Sequence, residues 1–189
     1  MKETSERPDS MSALKALHHP DTERTLALVV DDCPNMRAFA RIVIGKALPE
    51  LSILEAPHPI DAIAQLSREG VAGSVAFVWS DKDMPRMDGI QLGQVLAGEE
   101  VMGHILDSEH RKSLKEVPKL MMTGSYNPGL ARALVDDGIF HHVGEKGEGG
   151  LPEIFKHIHR AIEMAAKVKE RTQEQAGKRA PGRIYRLVL

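Results

Sequence analysis

The stretch Ser74–Gly89 constrains the fold more than any other part of this 189-residue chain. It begins with an almost unbroken apolar run, Val75–Trp79, which is typical of a strand buried on both faces of a parallel sheet. Pro85 and Gly89 then exclude a continuation of that strand. Asp81 therefore lies at the carboxyl end of a buried strand, which is where open parallel sheets bind their ligands.

A second apolar run ends in acids in the same way. Leu26–Val30 reads as a strand, and Asp31 and Asp32 follow it directly. Together with Asp81 they would gather at one edge of a sheet, where like charges repel strongly in a partly dry site. A divalent cation removes that repulsion, and oxygen ligands of this kind suit Mg²⁺. The sequence therefore predicts a magnesium site at this edge.

Strand-like and helix-like patterns alternate along the whole chain. Apolar runs predict strands at 26–30, 51–56, 75–79, 118–123 and 139–143. Amphipathic spacing, prolines at helix starts and glycines at helix ends predict helices at 34–48, 60–68, 127–137 and 151–169, with another that begins near Asp88. This alternation predicts an α/β fold with a doubly wound, five-stranded parallel sheet.

The domain organisation follows from shifts in composition. Residues 1–25 are polar and contain two prolines, and we interpret them as a mobile N-terminal extension before a domain at 26–166. The charged segment 98–116 is longer than a simple connection needs and reads as an insertion, in which Val101–Leu106 extends a helix or adds a short one. Residues 167–189 read as a basic C-terminal tail.

Composition narrows the class of protein. The chain is 42% hydrophobic and 28% charged, a normal balance for a globular domain, and its net charge of −2 does not favour nucleic acid or a membrane surface. Its apolar runs are too short to span a bilayer, which argues against membrane insertion. Cys33 is the only cysteine, which excludes an intrachain disulfide and fits a cytoplasmic location.

Three motifs together resemble a known family. Over about residues 26–165, in matching order and spacing, the chain resembles the receiver domain of bacterial response regulators, most closely the stand-alone chemotaxis type. This resemblance implies a flavodoxin-like fold and a place in a two-component phosphorelay. The motifs are Leu-Val-Val-Asp31-Asp32, Asp81-x-x-Met-Pro85-x-Met-Asp88-Gly89 and Leu-Met-Met-Thr123-Gly124.

The resemblance implies roles for the acids. Asp81 would be the phosphoacceptor, a carboxylate nucleophile that forms an aspartyl phosphate. Asp32 would bind Mg²⁺ directly, and Asp31 would hold a water molecule bound to it. Asp83 would offer its backbone carbonyl to the same ion.

The resemblance also implies roles at the ends of the fourth and fifth strands. Thr123 would be the switch hydroxyl that binds a phosphoryl oxygen, and Gly124 would keep the entrance open. The family usually has Lys-Pro after its fifth strand, whereas this chain has Glu145 at the matching position and Lys146 one residue later. A one-residue bulge would let Lys146 pair with the phosphoryl group; with Glu145 inward, the site would lack its cation. We interpret His142 as a surface-facing strand residue.

The implied function is signalling without a separate enzymatic activity. The domain would accept phosphate from a histidine kinase or a phosphotransfer protein, lose it by its own hydrolysis, and bind an effector protein. Dimerisation through the last helix stays open. Two alternatives also stay open: a degenerate receiver that binds partners without phosphorylation, and a haloacid-dehalogenase-type phosphatase, for which Asp81-Lys82-Asp83 supplies the Asp-x-Asp motif.

Overall fold

A computed structural model describes residues 10–17, 24–147 and 149–178 of the chain. The strands are β1 (Leu26–Val30), β2 (Ser52–Ala56), β3 (Val75–Asp81), β4 (Lys119–Thr123) and β5 (His142–Glu145). The helices are α1 (Ser10–Leu17), α2 (Pro34–Ala47), α3 (Pro59–Leu66), α4 (Val71–Ser74), α5 (Gly89–Ala97), α6 (Ser108–Leu114), α7 (Pro128–Asp136) and α8 (Gly150–Lys178).

The strands form one parallel sheet in the order β2-β1-β3-β4-β5. The predicted doubly wound, five-stranded parallel sheet is therefore confirmed. The strand order reverses direction between β1 and β3, so the connections that leave these neighbours pass to opposite faces of the sheet. Such a switch point opens a crevice at the carboxyl ends of the two strands.

Separate apolar clusters fill the two sides of the sheet. On one side α1, α2 and α8 pack against alternate residues of β1, β3 and β4, among them Val29, Phe77 and Met122. On the other side α3, α4, α5 and α6 pack against the intervening residues, such as Leu28 and Val78. A smaller cluster joins α7 to β4 and β5. Strands β1 and β3 are thus covered on both faces, as their continuous apolar runs require.

Helix α1 belongs to this core. Met11, Leu14 and Leu17 are buried and lie in the same apolar cluster as Ala161 and Ile162 of α8. The interpretation of residues 1–25 as a mobile extension is therefore wrong for the segment 10–17. It is also wrong for residues 24 and 25, since the Arg24 guanidinium donates to the carbonyls of Val75 and Ser113, each at 2.6 Å. The remainder of that interpretation concerns residues 1–9 and 18–23, which lie outside the described residues. Three apolar side chains at helical spacing supply the burial that a mobile segment lacks.

The largest differences from the sequence pattern lie in the insertion, in β5 and in α8, while α4 is an added short helix that the pattern did not indicate. Within the insertion the helix is α6, whereas Val101 and His104 form an isolated antiparallel bridge. Asp107 is the N-cap of α6. Its carboxylate accepts hydrogen bonds from the backbone N–H groups of Glu109 and His110. Strand β5 begins three residues later than expected, and α8 continues through 170–178 into the segment interpreted as a tail.

No helix among the described residues is long and apolar enough to cross a membrane.

Candidate phosphoacceptor and metal site

Three carboxylates meet where the sheet order reverses. Asp31 and Asp32 follow β1, and Asp81 is the last residue of β3. One carboxylate oxygen from each lies within 4.8 Å of the others. Asp31 is 1% exposed and Asp81 is 5% exposed, whereas Asp32 faces solvent. The cluster is therefore open on one side only.

Lys146 joins two of these acids. Its Nζ lies 2.6 Å from Asp81 Oδ1 and 2.9 Å from Asp31 Oδ2. Strand β5 pairs with β4 without irregularity up to Thr123 and Glu145, and the Lys146 N–H then donates to the Thr123 carbonyl at 2.7 Å. The expected bulge is absent from this pairing, because the later start of β5 already sets the register that brings Lys146 to the acids.

Burial and charge act against each other in this cluster. Burial raises the pKa of Asp81, the hydrogen bond from Lys146 opposes that rise, and the charge of Asp31 adds to it. Burial alone would lower the pKa of Lys146, but hydrogen bonds to Asp81 and Asp31 outweigh it and raise that pKa above its ordinary value. Lys146 is therefore held as a cation beside the Asp81 carboxylate.

The residues present fit a magnesium ion. Three carboxyl groups and one ammonium group carry a formal charge of −2, which matches the charge of Mg²⁺. The ligands are carboxylate oxygens at a site open to water on the Asp32 side, and Mg²⁺ prefers oxygen ligands and retains several waters. Asp31, Asp32 and Asp81 are the side chains that would hold it.

The segment after Asp81 folds tightly because of two residues. Asp88 caps α5: its Oδ1 accepts from the Gln91 N–H at 2.8 Å, and the Gln91 side chain accepts from the Asp88 N–H at 3.0 Å. Gly89 packs directly on the end of β3, where a Cβ atom would overlap the Asp81 carbonyl oxygen. The pair Asp88-Gly89 therefore fixes the backbone at Asp81.

Thr123 and Gly124 lie at the end of β4 beside the acids. The Thr123 side chain is 1% exposed, and its Oγ1 accepts a hydrogen bond from the Ser125 N–H at 3.0 Å. A Cβ atom at Gly124 would meet nothing within 4 Å. The hydroxyl is thus held in place while the backbone next to it stays open.

The side chain of Asp83 lies outside the acid cluster. Its carboxylate is 60% exposed and pairs with Lys82 Nζ at 3.0 Å. The carboxylate of Asp83 is not one of the three that converge on the site. Only its backbone carbonyl, the atom that the sequence resemblance indicated, is left as a contact for a metal ion.

His142 differs from its interpretation as a surface-facing residue. It is half-buried, and its Nε2 lies 2.8 Å from Nδ1 of His157 on α8. Burial, together with the nearby His157 and Arg160, lowers the pKa of His142 to about 4. Gly144 makes this pair fit, since a Cβ atom there would come within 2.7 Å of the His157 ring. A glycine inside a strand is the signal that marks such a close approach.

The comparisons with known proteins agree with the fold described above. No family model matches the chain. The chain is similar to the chemotaxis protein CheY4 of Vibrio cholerae, with 17% identity and a TM-score of 0.53 over 72% of this chain and 98% of that one. It is similar to a response regulator receiver domain protein of Clostridium thermocellum, with 15% identity and a TM-score of 0.54 over 76% and 98%.

A structure described as an adenylate cyclase of Rhodopirellula baltica aligns equally well, with 17% identity and a TM-score of 0.54 over 82% of this chain and 98% of that one. Likeness at such low identity shows a shared fold and not a shared activity. The chain has the CheY-like receiver fold of two-component response regulators. The feature of this chain that bears on chemistry is its acid cluster with Lys146.

Proposed function

We propose that this protein is the phosphoacceptor receiver of a two-component phosphorelay, with the receiver at 26–166. A cytoplasmic histidine kinase or phosphotransfer protein would supply the phosphoryl group to Asp81. The observation that carries the proposal is the Lys146 ammonium group, 2.6 Å from Asp81 and 2.9 Å from Asp31. This arrangement keeps a cation beside a nearly buried nucleophile.

The chemistry is a transfer of the phosphoryl group between two nucleophiles. An Asp81 carboxylate oxygen attacks phosphorus, the new P–O bond forms, and the P–N bond of a phosphohistidine breaks with its electron pair left on the imidazole. Lys146 compensates negative charge on the phosphoryl oxygens. Mg²⁺ held by Asp31, Asp32 and Asp81, with the Asp83 carbonyl, would neutralise further charge between the carboxylates and the phosphate.

Thr123 couples the new charge to the rest of the fold. Its hydroxyl accepts from the Ser125 N–H, which leaves its own proton free to donate to a phosphoryl oxygen. Gly124 leaves room for that approach. The shift of Thr123 would alter the surface formed by α7, β5 and α8, where an effector protein would bind.

The position of Asp83 argues against the phosphatase alternative. A phosphatase of the Asp-x-Asp type needs the carboxylates of both Asp81 and Asp83 at the reacting phosphate, yet the Asp83 carboxylate is exposed and paired with Lys82. The degenerate-receiver alternative assumed a site without its cation. The contacts of Lys146 with both buried acids speak against that assumption.

The experiment is intact-mass spectrometry after incubation with acetyl phosphate, with and without Mg²⁺. We expect one added phosphoryl group that requires Mg²⁺ and is absent in Asp81→Asn. Asp61→Asn, the same change at an exposed helix position, is the matched control and should be phosphorylated like the wild type. No adduct on the wild-type protein, together with failure to bind beryllofluoride, would favour the degenerate receiver; steady hydrolysis of a small phosphate ester would favour the phosphatase.

A further inference from the structure

A cationic cavity lies away from the acid cluster, at the amino end of β4. Its volume is about 450 Å³, it is open to solvent, and it is lined by the end of α5, the insertion helix α6 and the turn after α7. Four cationic side chains and one acid line it: Arg111, Lys112, Lys115, Lys119 and Asp137. A volume of this size suits a small molecule.

Lys119 is the buried member of this lining. It is 2% exposed, and its Nζ donates to the carbonyls of Leu114 and Val117, each at 3.4 Å. No carboxylate in the described part of the chain forms an ion pair with it. Burial lowers the pKa of Lys119 to about 8, so the group is still mostly protonated at pH 7. A buried charge without an opposite charge is costly, and an anion in the cavity would offset that cost.

The insertion brings further positive charge to the same cavity. Arg111 lies across the end of α5, where its side chain donates to the Gly98 carbonyl at 3.3 Å. Gly98 has a φ of 105°, and a Cβ atom there would come within 2.9 Å of Arg111 Cδ. Lys112 and Lys115 are exposed, and neither pairs with an acid among residues 10–17, 24–147 and 149–178. Arg111 therefore fixes α6 against α5, while two lysines remain available to a ligand.

The balance of charge indicates the class of ligand. Four cations against Asp137 give a net charge of +3 around a cavity that holds only a small molecule. Lysine and arginine together are typical ligands of phosphate oxygens, because their hydrogen bonds to anions are charge-assisted. A singly charged anion would leave most of this charge uncompensated, whereas a diphosphate would compensate it.

We propose that this cavity is a binding site for a small molecule that carries a phosphate or diphosphate group, held by Lys119, Lys112 and Lys115. The site is separate from Asp81 and does not depend on phosphorylation there. Because the cavity is formed between α5, α6 and β4, ligand binding would hold the insertion against the sheet. Ligand binding would thus explain why the segment 98–116 is longer than a simple connection between α5 and β4.

The test is isothermal titration calorimetry at pH 7 and constant ionic strength, with EDTA present so that the acid cluster holds no divalent ion. Inorganic pyrophosphate and adenosine diphosphate are the two probes, which distinguish a free diphosphate from a nucleotide. We expect saturable binding of at least one of them at one site per chain. Lys119→Met and Lys115→Gln should each weaken it about tenfold.

Lys46→Gln is the matched control, since Lys46 is an exposed lysine on α2 and its replacement should change the affinity by less than about twofold. Lys115→Gln keeps the test valid should Lys119→Met not fold. Equal affinities in all variants, or loss of binding in Lys146→Gln alone, would overturn the proposal by placing the anion elsewhere. Absence of saturable binding would also overturn it, leaving Lys119 as a donor to the carbonyls of Leu114, at the end of α6, and Val117.

Discussion

Replacing Lys119 with methionine should stabilise the protein at neutral pH. The side chain is buried and meets no carboxylate among the described residues, and burial lowers its pKa from the ordinary 10.5 to about 8. At about 1.4 kcal/mol for each pH unit, this difference means that the folded state loses about 3 kcal/mol by keeping Lys119 charged. Methionine keeps the unbranched shape of the side chain and removes the charge.

The hydrogen bonds that Lys119 donates reduce the expected gain. They reach the carbonyls of Leu114 and Val117 at 3.4 Å, so each is long and contributes at most about 1 kcal/mol. We therefore expect Lys119→Met to raise the free energy of unfolding by about 1 to 3 kcal/mol at pH 7. Urea unfolding in a buffer free of phosphate measures this difference.

The dependence on pH separates this explanation from simple repacking. Because the pKa of Lys119 is lower in the folded state, the unfolded chain binds more protons between pH 8 and 10.5, and wild-type stability gains from a rise in pH there. The advantage of Lys119→Met should therefore shrink between pH 7 and 9.5. Lys46→Met, at an exposed position, should change stability by less than about 0.5 kcal/mol. A variant less stable than wild type at both pH values would refute the reasoning.

Three further predictions concern packing and protonation. Burial lowers the pKa of His141 to about 3, so stability should fall by about 2 kcal/mol as the pH drops from 7.5 to 5, and urea unfolding should show a smaller fall in His141→Gln. Gly89→Ala should cost more than about 3 kcal/mol in thermal unfolding because the new methyl group overlaps the Asp81 carbonyl, whereas Gly45→Ala, in open space on α2, should be neutral or stabilising by up to about 1 kcal/mol. Leu14→Ala should lower the free energy of unfolding by about 2 to 4 kcal/mol in chemical denaturation, because α1 belongs to the core. A negligible loss would support the interpretation of this segment as a mobile extension.

The sequence predicted the sheet because its signals are local. The apolar runs that became β1 and β3 need burial on both faces, and a doubly wound sheet supplies it. The acids Asp31, Asp32 and Asp81 follow these runs directly, so their meeting depends only on the parallel order of neighbouring strands. Strand identity and strand order are thus enough to place them.

Features that depend on distant partners were beyond such reasoning. Helix α1 is short, and only the apolar face of α8, more than a hundred residues later, gives Leu14 a place to be buried. The late start of β5 depends on pairing with β4 and not on the residues of β5 alone, which is why the choice between Glu145 and Lys146 stayed open in the sequence. The pairing of His142 with His157 likewise needs two elements to pack.

The insertion shows a third kind of limit. Its helix is α6 and not Val101–Leu106. Asp107 caps α6 and Leu114 is buried, which stabilises the helix there. In the earlier segment Val101 and His104 form a turn closed by a β-bridge. The burial of Lys119 at the start of β4 could not be read from the sequence, since a lysine at a strand end is usually exposed.

Phosphorylation of Asp81 can be established by locating the phosphoryl group in the sequence. After incubation with acetyl phosphate and Mg²⁺, borohydride reduces an aspartyl phosphate to homoserine, which tandem mass spectrometry can assign to one position in the sequence. We expect homoserine at position 81, formed only when Mg²⁺ is present and much reduced in Lys146→Gln. Homoserine at another aspartate, or none at position 81 while the intact mass shows an added phosphoryl group, would contradict it.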